Sequence, residues 1–179
     1  MDLETFLRPL YQDLDGVSRV EEVERIAKIA RRLHTPLPED ARAFELLLRF
    51  HRLGKWLEKV GHISRTALAV DGVTEGELRR TAASIARLEA PVSEAERAVA
   101  AAVLIDNAGV RGLTELFTRA RREGSSLMDV LRAALSDVSL PEWLPAQAEE
   151  WLHARREARR VVCRRLLEEL SLEDLTLED

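Results

Sequence analysis

An imidazole, a guanidinium and an ammonium group crowd into one short apolar stretch, Phe50-His51-Arg52-Leu53-Gly54-Lys55-Trp56. On a helix His51 and Lys55 stand one turn apart and share a face. His62 follows beyond the break that Gly61 makes. Such groups, flanked by leucine and tryptophan, are costly to bury unless they are paired, hydrated or bound to a ligand. The plain reading is a hydrogen-bonded core histidine, with Arg52 and Lys55 carrying their charged ends out to water on aliphatic stems. The sharper reading is a binding site. Residue types alone favour the plain one, because structural networks also perturb polar groups.

A second concentration of charge lies near the C-terminus. Arg155, Arg156, Arg159, Arg160, Arg164 and Arg165 face only Glu157, so residues 152–165 carry five net positive charges. Such a stripe could track the phosphates of a nucleic acid. The next block, 166–179, holds six acids and no base. Pairing of the two blocks, within one chain or between chains, is the simpler expectation. Trp151 falls on the apolar stripe of the same helix, which leaves no aromatic side chain for base stacking. Nucleic acid is therefore not expected as a partner. Cys163 sits among apolar residues and arginines with no histidine close in sequence, and is expected to be an inert buried thiol.

The elements that carry these groups read as helices throughout. The chain has 179 residues, 46% apolar and 33% charged, with only 8 glycines, 6 prolines and 4% aromatics. That scarcity of turn-formers argues against an all-β sandwich or barrel, which places Gly and Pro at every corner. One cysteine excludes a disulfide framework and a Cys-rich zinc site. No apolar run approaches the roughly 18 residues of a membrane span, and Met1-Asp2-Leu3-Glu4 does not open a signal peptide. A cytoplasmic location with no membrane partner is expected.

Val20, Val23, Ile26, Ala27, Ala30 and Leu33 form one stripe at spacings of three and four. Ser18 with Glu21, Thr74 with Glu77 and Ser93 with Glu96 have the spacing of capping boxes. Pro36 and Pro38 separate two helices. From Pro38 to about Val60 the pattern is apolar on all sides, which predicts a single central helix. A helix through Ala98–Ile105 should end at Gly109 and Gly112. Shorter helices are expected at 112–123 and 126–136. A long one should follow, from Ser139-Leu-Pro-Glu142 to about Leu170, with Trp151, Ala154, Ala158, Val161, Val162, Leu166 and Leu170 as its apolar stripe. The expectation is an all-α, single-domain bundle of eight or nine helices over 1–170, with an acidic tail at 171–179.

The run Leu-Leu-Arg-Phe-His51-Arg52-Leu-Gly54-Lys55-Trp resembles the His-Asp-x-Gly-Lys segment of the HD-domain superfamily, helical metal-dependent phosphohydrolases. Ser18-Arg-Val to Ile29-Ala30 resembles the helix bearing the family's first histidine. Gly61-His62-Ile-Ser64-Arg-Thr-Ala67 resembles the helix start that carries a further histidine, beside the first metal or on a second. Val103-Leu-Ile-Asp106-Asn-Ala-Gly109 resembles the late aspartate segment, and the Arg-rich last helix the closing helix. The likeness spans roughly 18–170.

The departures from that family decide what the likeness implies. Its metal needs several neutral or anionic donors at once. Ser18 stands at the first histidine, where it also has a capping role. His51 keeps the second ligand, and Arg52 replaces the aspartate with a permanent cation that cannot accept a hydrogen bond. Aligned on Gly109, the late ligand falls on Ala101; a slip of register restores Asp106. At most two of four ligands survive. Glu21 or Glu22 could donate, but a guanidinium a few ångströms from a dication is repelled by several kcal/mol even at an effective dielectric of about 20.

The resemblance thus implies an HD-like domain without a catalytic metal or other cofactor. Its role would be regulatory, phosphate-ligand-binding or interactive. His51, Arg52, Lys55, His62 and Asp106 are the candidate ligand-binding residues, and a phosphate-bearing small molecule is the candidate ligand. The simpler alternative for Arg52 is an ion pair with Asp106 or a nearby glutamate. Two other readings stand beside this one. One is a working phosphohydrolase with an altered site, built on His51, His62, Asp106 and Glu22 and acting on nucleotides or small phosphate esters. The other is an interaction protein, in homo-oligomers or with another protein, that uses the basic last helix.

Overall fold

The computed structural model describes residues 1–12, 19–136 and 139–176, with their side chains except at 119 and 172–176. Within them every regular element is an α-helix. In order these are α1 (Leu3–Gln12), α2 (Val20–Leu33), α3 (Ala41–Phe50), α4 (Gly54–Leu57) and α5 (His62–Ala69), then α6 (Glu75–Ala86), α7 (Glu94–Ala108), α8 (Val110–Glu123), α9 (Leu127–Leu135) and α10 (Ala146–Thr176). Among the described residues no helix is long and apolar enough to cross a membrane.

The sequence predicts one domain over 1–170. By backbone packing the chain groups into two compact units, Met1–Val103 and Leu104–Asp179. The first unit has two apolar clusters. In one, Leu7 and Tyr11 of α1 meet Val23 of α2, Leu46 and Phe50 of α3, Leu57 of α4 and Leu78 of α6. In the other, Ile26, Ala27 and Ala30 of α2 pack on Phe44, Leu47 and Leu48 of α3 and on Ala98, Val99 and Ala102 of α7. The α2 stripe is thus buried as its spacing predicts. Each fully buried Leu, Ile or Phe contributes about 1.5–3 kcal/mol. In the second unit Leu113, Leu131, Ala134 and Cys163 form the core.

The expected single helix over 38–60 is divided. Breaking after Phe50 lets Leu53 and Leu57 turn into the same cluster as Leu46 and Phe50. Gly54 then comes so close to α6 that a Cβ there would lie 2.9 Å from Ile85 Cγ2. The chain turns again at Gly61, whose φ of 78° suits glycine.

Two of the three capping boxes form. Thr74 Oγ1 accepts from the Glu77 N–H at 3.2 Å while Glu77 Oε2 accepts from the Thr74 N–H at 2.8 Å. Ser93 and Glu96 are linked the same way, each bond 3.2 Å. Glu96 is 1% exposed, and its carboxylate also accepts from the Val92 N–H at 2.9 Å and from Arg87 Nη2 at 2.5 Å. Burial alone would raise its pKa; these donors pull it down to about 2. Ser18, of the remaining box, lies outside the described residues.

Three boundaries depart from expectation. Gly112 does not end a helix: α8 starts at Val110, with Gly109 as its cap and Gly112 in its first turn. The last helix begins at Ala146 rather than Glu142, because Pro145 holds Leu144 away from helical backbone angles. It also runs on to Thr176, so the segment from Ser171 to Thr176 continues α10 instead of forming a separate tail. Its buried face differs too. Val162, Leu166 and Leu170 of the expected stripe pack with Leu167 against the cluster that holds Cys163, and Ala148 and Leu152 are buried, while Ala154, Ala158 and Val161 are exposed.

Candidate functional site

The break between α3 and α4 positions the polar cluster. His51 caps the C-terminus of α3, and its Nδ1 lies 2.8 Å from the Leu48 carbonyl oxygen. A carbonyl only accepts, so Nδ1 carries the proton and Nε2 bears the lone pair. Nε2 is buried and has no hydrogen-bond partner. Burial, reinforced by the positive charge of Arg52, lowers the imidazole pKa to about 4, against the opposing pull of the Leu48 carbonyl and Glu22. The ring is neutral at pH 7 and a weak base.

Arg52 turns toward α2. Its Nη2 donates to Oε1 of Glu22, whose other oxygen accepts from Arg19 Nη1 at 2.7 Å. Glu22 is 8% exposed and Arg52 30%. One buried carboxylate therefore joins two guanidinium groups, and both of its oxygens are occupied. The alternative of an Arg52–glutamate pair is the arrangement found. The buried Nε–H of Arg52 has no acceptor, so adjacent residues carry an unused donor and an unused lone pair. Tyr11 closes this side of the cluster, its hydroxyl donating to the Arg49 carbonyl at 2.7 Å. Burial pushes that phenol well above its ordinary pKa.

The other expected residues lie differently. Lys55 is exposed on α4. His62 opens α5 with its ring 4.3 Å from that of Trp56, and its Nδ1 is buried without a partner. Trp56 in turn meets Phe6 edge-on at 6.1 Å. Asp106 is buried and engaged in α7, on the part of the chain that belongs to the second unit. Of the five candidates His51 and Arg52 are neighbours within one polar network. Glu22 joins them as expected of a nearby acid, whereas Arg19, just before α2, and Tyr11, on α1, carry no sequence signal, because each is a single side chain brought in from a separate part of the chain.

These donors do not fit a divalent cation. His51 Nε2 is an available ligand atom, but Glu22 is already saturated by two cations that would repel the metal. Among the described residues no group of three or more His, Cys, Asp or Glu side chains stands close enough to hold an ion.

The buried histidine sets a pH dependence. Its pKa falls from 6.5 unfolded to about 4 folded, so the unfolded chain binds the proton more readily between those values. Stability is full above about pH 6.5 and declines as pH falls toward 4, by about 2–3 kcal/mol. Denaturant unfolding at pH 6.5 and 4.5 should show that decline in the native chain and a much flatter response in His51→Gln. Equal slopes would mean that folding leaves the proton affinity of the ring unchanged.

A cleft of about 830 Å³ opens elsewhere on the first unit, lined by His34, Asp40, Arg42, Arg80 and Arg87 among others. Arg42 is paired with Glu77 at 3.5 Å and Arg87 with Glu96, so this cleft has no strong net charge. None of the expected site residues lines it. Comparison with models of known protein families, with curated proteins and with solved structures found no match to this chain.

Proposed function

We propose that this chain is a cytoplasmic, degenerate HD-like helical domain without metal-dependent catalysis, serving a binding or regulatory role. The observation that carries the reading is the Glu22 carboxylate held by Arg19 and Arg52. Where the likeness implies an anionic metal ligand, this sequence has a cation. The nearest spare carboxylate neutralises it. Without a dication there is no metal-bound hydroxide to attack a phosphate ester. The orphaned Nε2 of His51 supplies a lone pair but, with a pKa of about 4, little general-base strength at pH 7. A phosphate-bearing ligand would meet Lys55 directly, and would gain Arg52 only by displacing it from Glu22.

The deciding experiment is metal content per chain. Protein purified without an affinity tag would be incubated with manganese, iron and nickel, desalted, and assayed for metal and for phosphate release from nucleotides. The expected result is far less than one metal per chain and no release. Near-stoichiometric metal that disappears in His51→Ala, together with phosphate release, would overturn the proposal and establish the altered phosphohydrolase instead.

A further inference from the structure

Among the described residues, one face of α10 is exposed along much of its length. Ala154, Ala158, Val161, Arg165 and Glu168 recur at spacings of four and three, and all are exposed. Val161 is 64% exposed at the middle of the row. The opposite face is already committed to the core with Leu113, Leu131 and Ala134. At 1.5 Å per residue the 31-residue helix is about 46 Å long, enough for a second helix to lie along it. Its charge is uneven along that length, five net positive over 152–165 and four acids with no base over 166–176.

We infer that this face binds a second copy of the same chain, the two α10 helices crossing antiparallel with Val161 on the two-fold axis. The small Ala154 and Ala158 let the backbones approach closely around that contact. In this register Arg155 on one flank faces Glu169 of the second copy, and Arg164 on the other faces Glu157 of the second copy. The symmetry repeats each pair. Glu157 and Glu169 also hold Arg160 at 2.5 Å and Arg165 at 2.9 Å along their own helix, and a carboxylate with two oxygens serves both directions. A parallel arrangement fails on the same residues, since it would set Arg165 on Arg165 and Glu168 on Glu168 across the seam.

The test uses the full tag-free chain. Sedimentation over a hundredfold range of concentration should show mass rising to two chains, with weaker association at high salt. Val161→Glu places like charges on the axis and should weaken association about tenfold or more, about 1.4 kcal/mol. At concentrations too low for association its thermal unfolding should match that of the native chain, because Val161 is exposed in the single chain. Val161→Cys should form a disulfide between copies under mild oxidation, Cys163 being buried and out of reach. Ala154→Cys should not, because its copies would lie roughly 20 Å apart along the antiparallel pair. A monomer at every concentration, or a dimer indifferent to Val161→Glu, would overturn the inference. Cross-linking at 154 would overturn its antiparallel geometry.

Discussion

Glu22→Ala is expected to lower the free energy of unfolding by about 3 kcal/mol, near the value for removing one member of a buried ion pair. The carboxylate is the shared acceptor of Arg19 and Arg52. Without it a largely enclosed guanidinium keeps its charge and loses its anion, and the loss of attraction is compounded by desolvation. Arg52→Met alone should cost less, because Glu22 retains Arg19. The double variant Glu22→Leu, Arg52→Met should recover more than half of the loss, since a well-packed apolar pair can replace a buried ionic one. Denaturant unfolding of the native chain, Glu22→Leu, Arg52→Met and the double variant closes the cycle. A single-variant loss under about 1 kcal/mol would mean that the bridge is loose in solution and that Arg52 is free for an anionic ligand.

Gly112→Ala is the other change with a large expected effect, and its sign runs against helix propensity. Within a regular helix, alanine in place of glycine stabilises by about 1 kcal/mol. Here the new Cβ would lie 1.8 Å from the backbone oxygen of Asn107. The obstacle is main chain, at the junction where α7 ends and α8 begins. No rotamer change relieves it, so the first turn of α8 must shift as a whole. We expect a loss of about 3 kcal/mol, at the upper end of overpacking costs. Gly76→Ala on α6 is the control. Its nearest neighbour is the flexible end of Arg80 at 3.7 Å, and the variant should be neutral or slightly stabilising. Thermal unfolding of both variants reads the contrast, and a stabilised Gly112→Ala would mean that the junction is open.

The two charge-bearing regions differ in how far the sequence disclosed them. The sequence offers an ion pair for Arg52 but leaves its partner open between Asp106 and a nearby glutamate. The choice of Glu22 follows from the break after Phe50, which swings residue 52 toward α2. That break was not anticipated, because Leu46-Leu47-Leu48 and Leu53-Gly54-Lys55-Trp56 are compatible with one helix when no neighbour is specified. On α10, periodicity assigned Ala154, Ala158 and Val161 to the buried stripe. The helix is instead rotated so that Leu152 and Cys163 are buried. Alanine and valine are too weakly apolar to determine which face turns inward when leucines lie on an adjoining one.

What this sequence determined by itself is the all-helical class, the α2 stripe, two capping boxes and the presence of an awkward polar cluster at residues 51–55. Each is settled by interactions that span one or two turns of chain. Only the tertiary structure decided the break inside the apolar segment, the partner of Arg52, the rotation of α10 and the close approach at Gly112. Each of these depends on which distant surface a segment meets, and a local pattern specifies a face without specifying what will cover it.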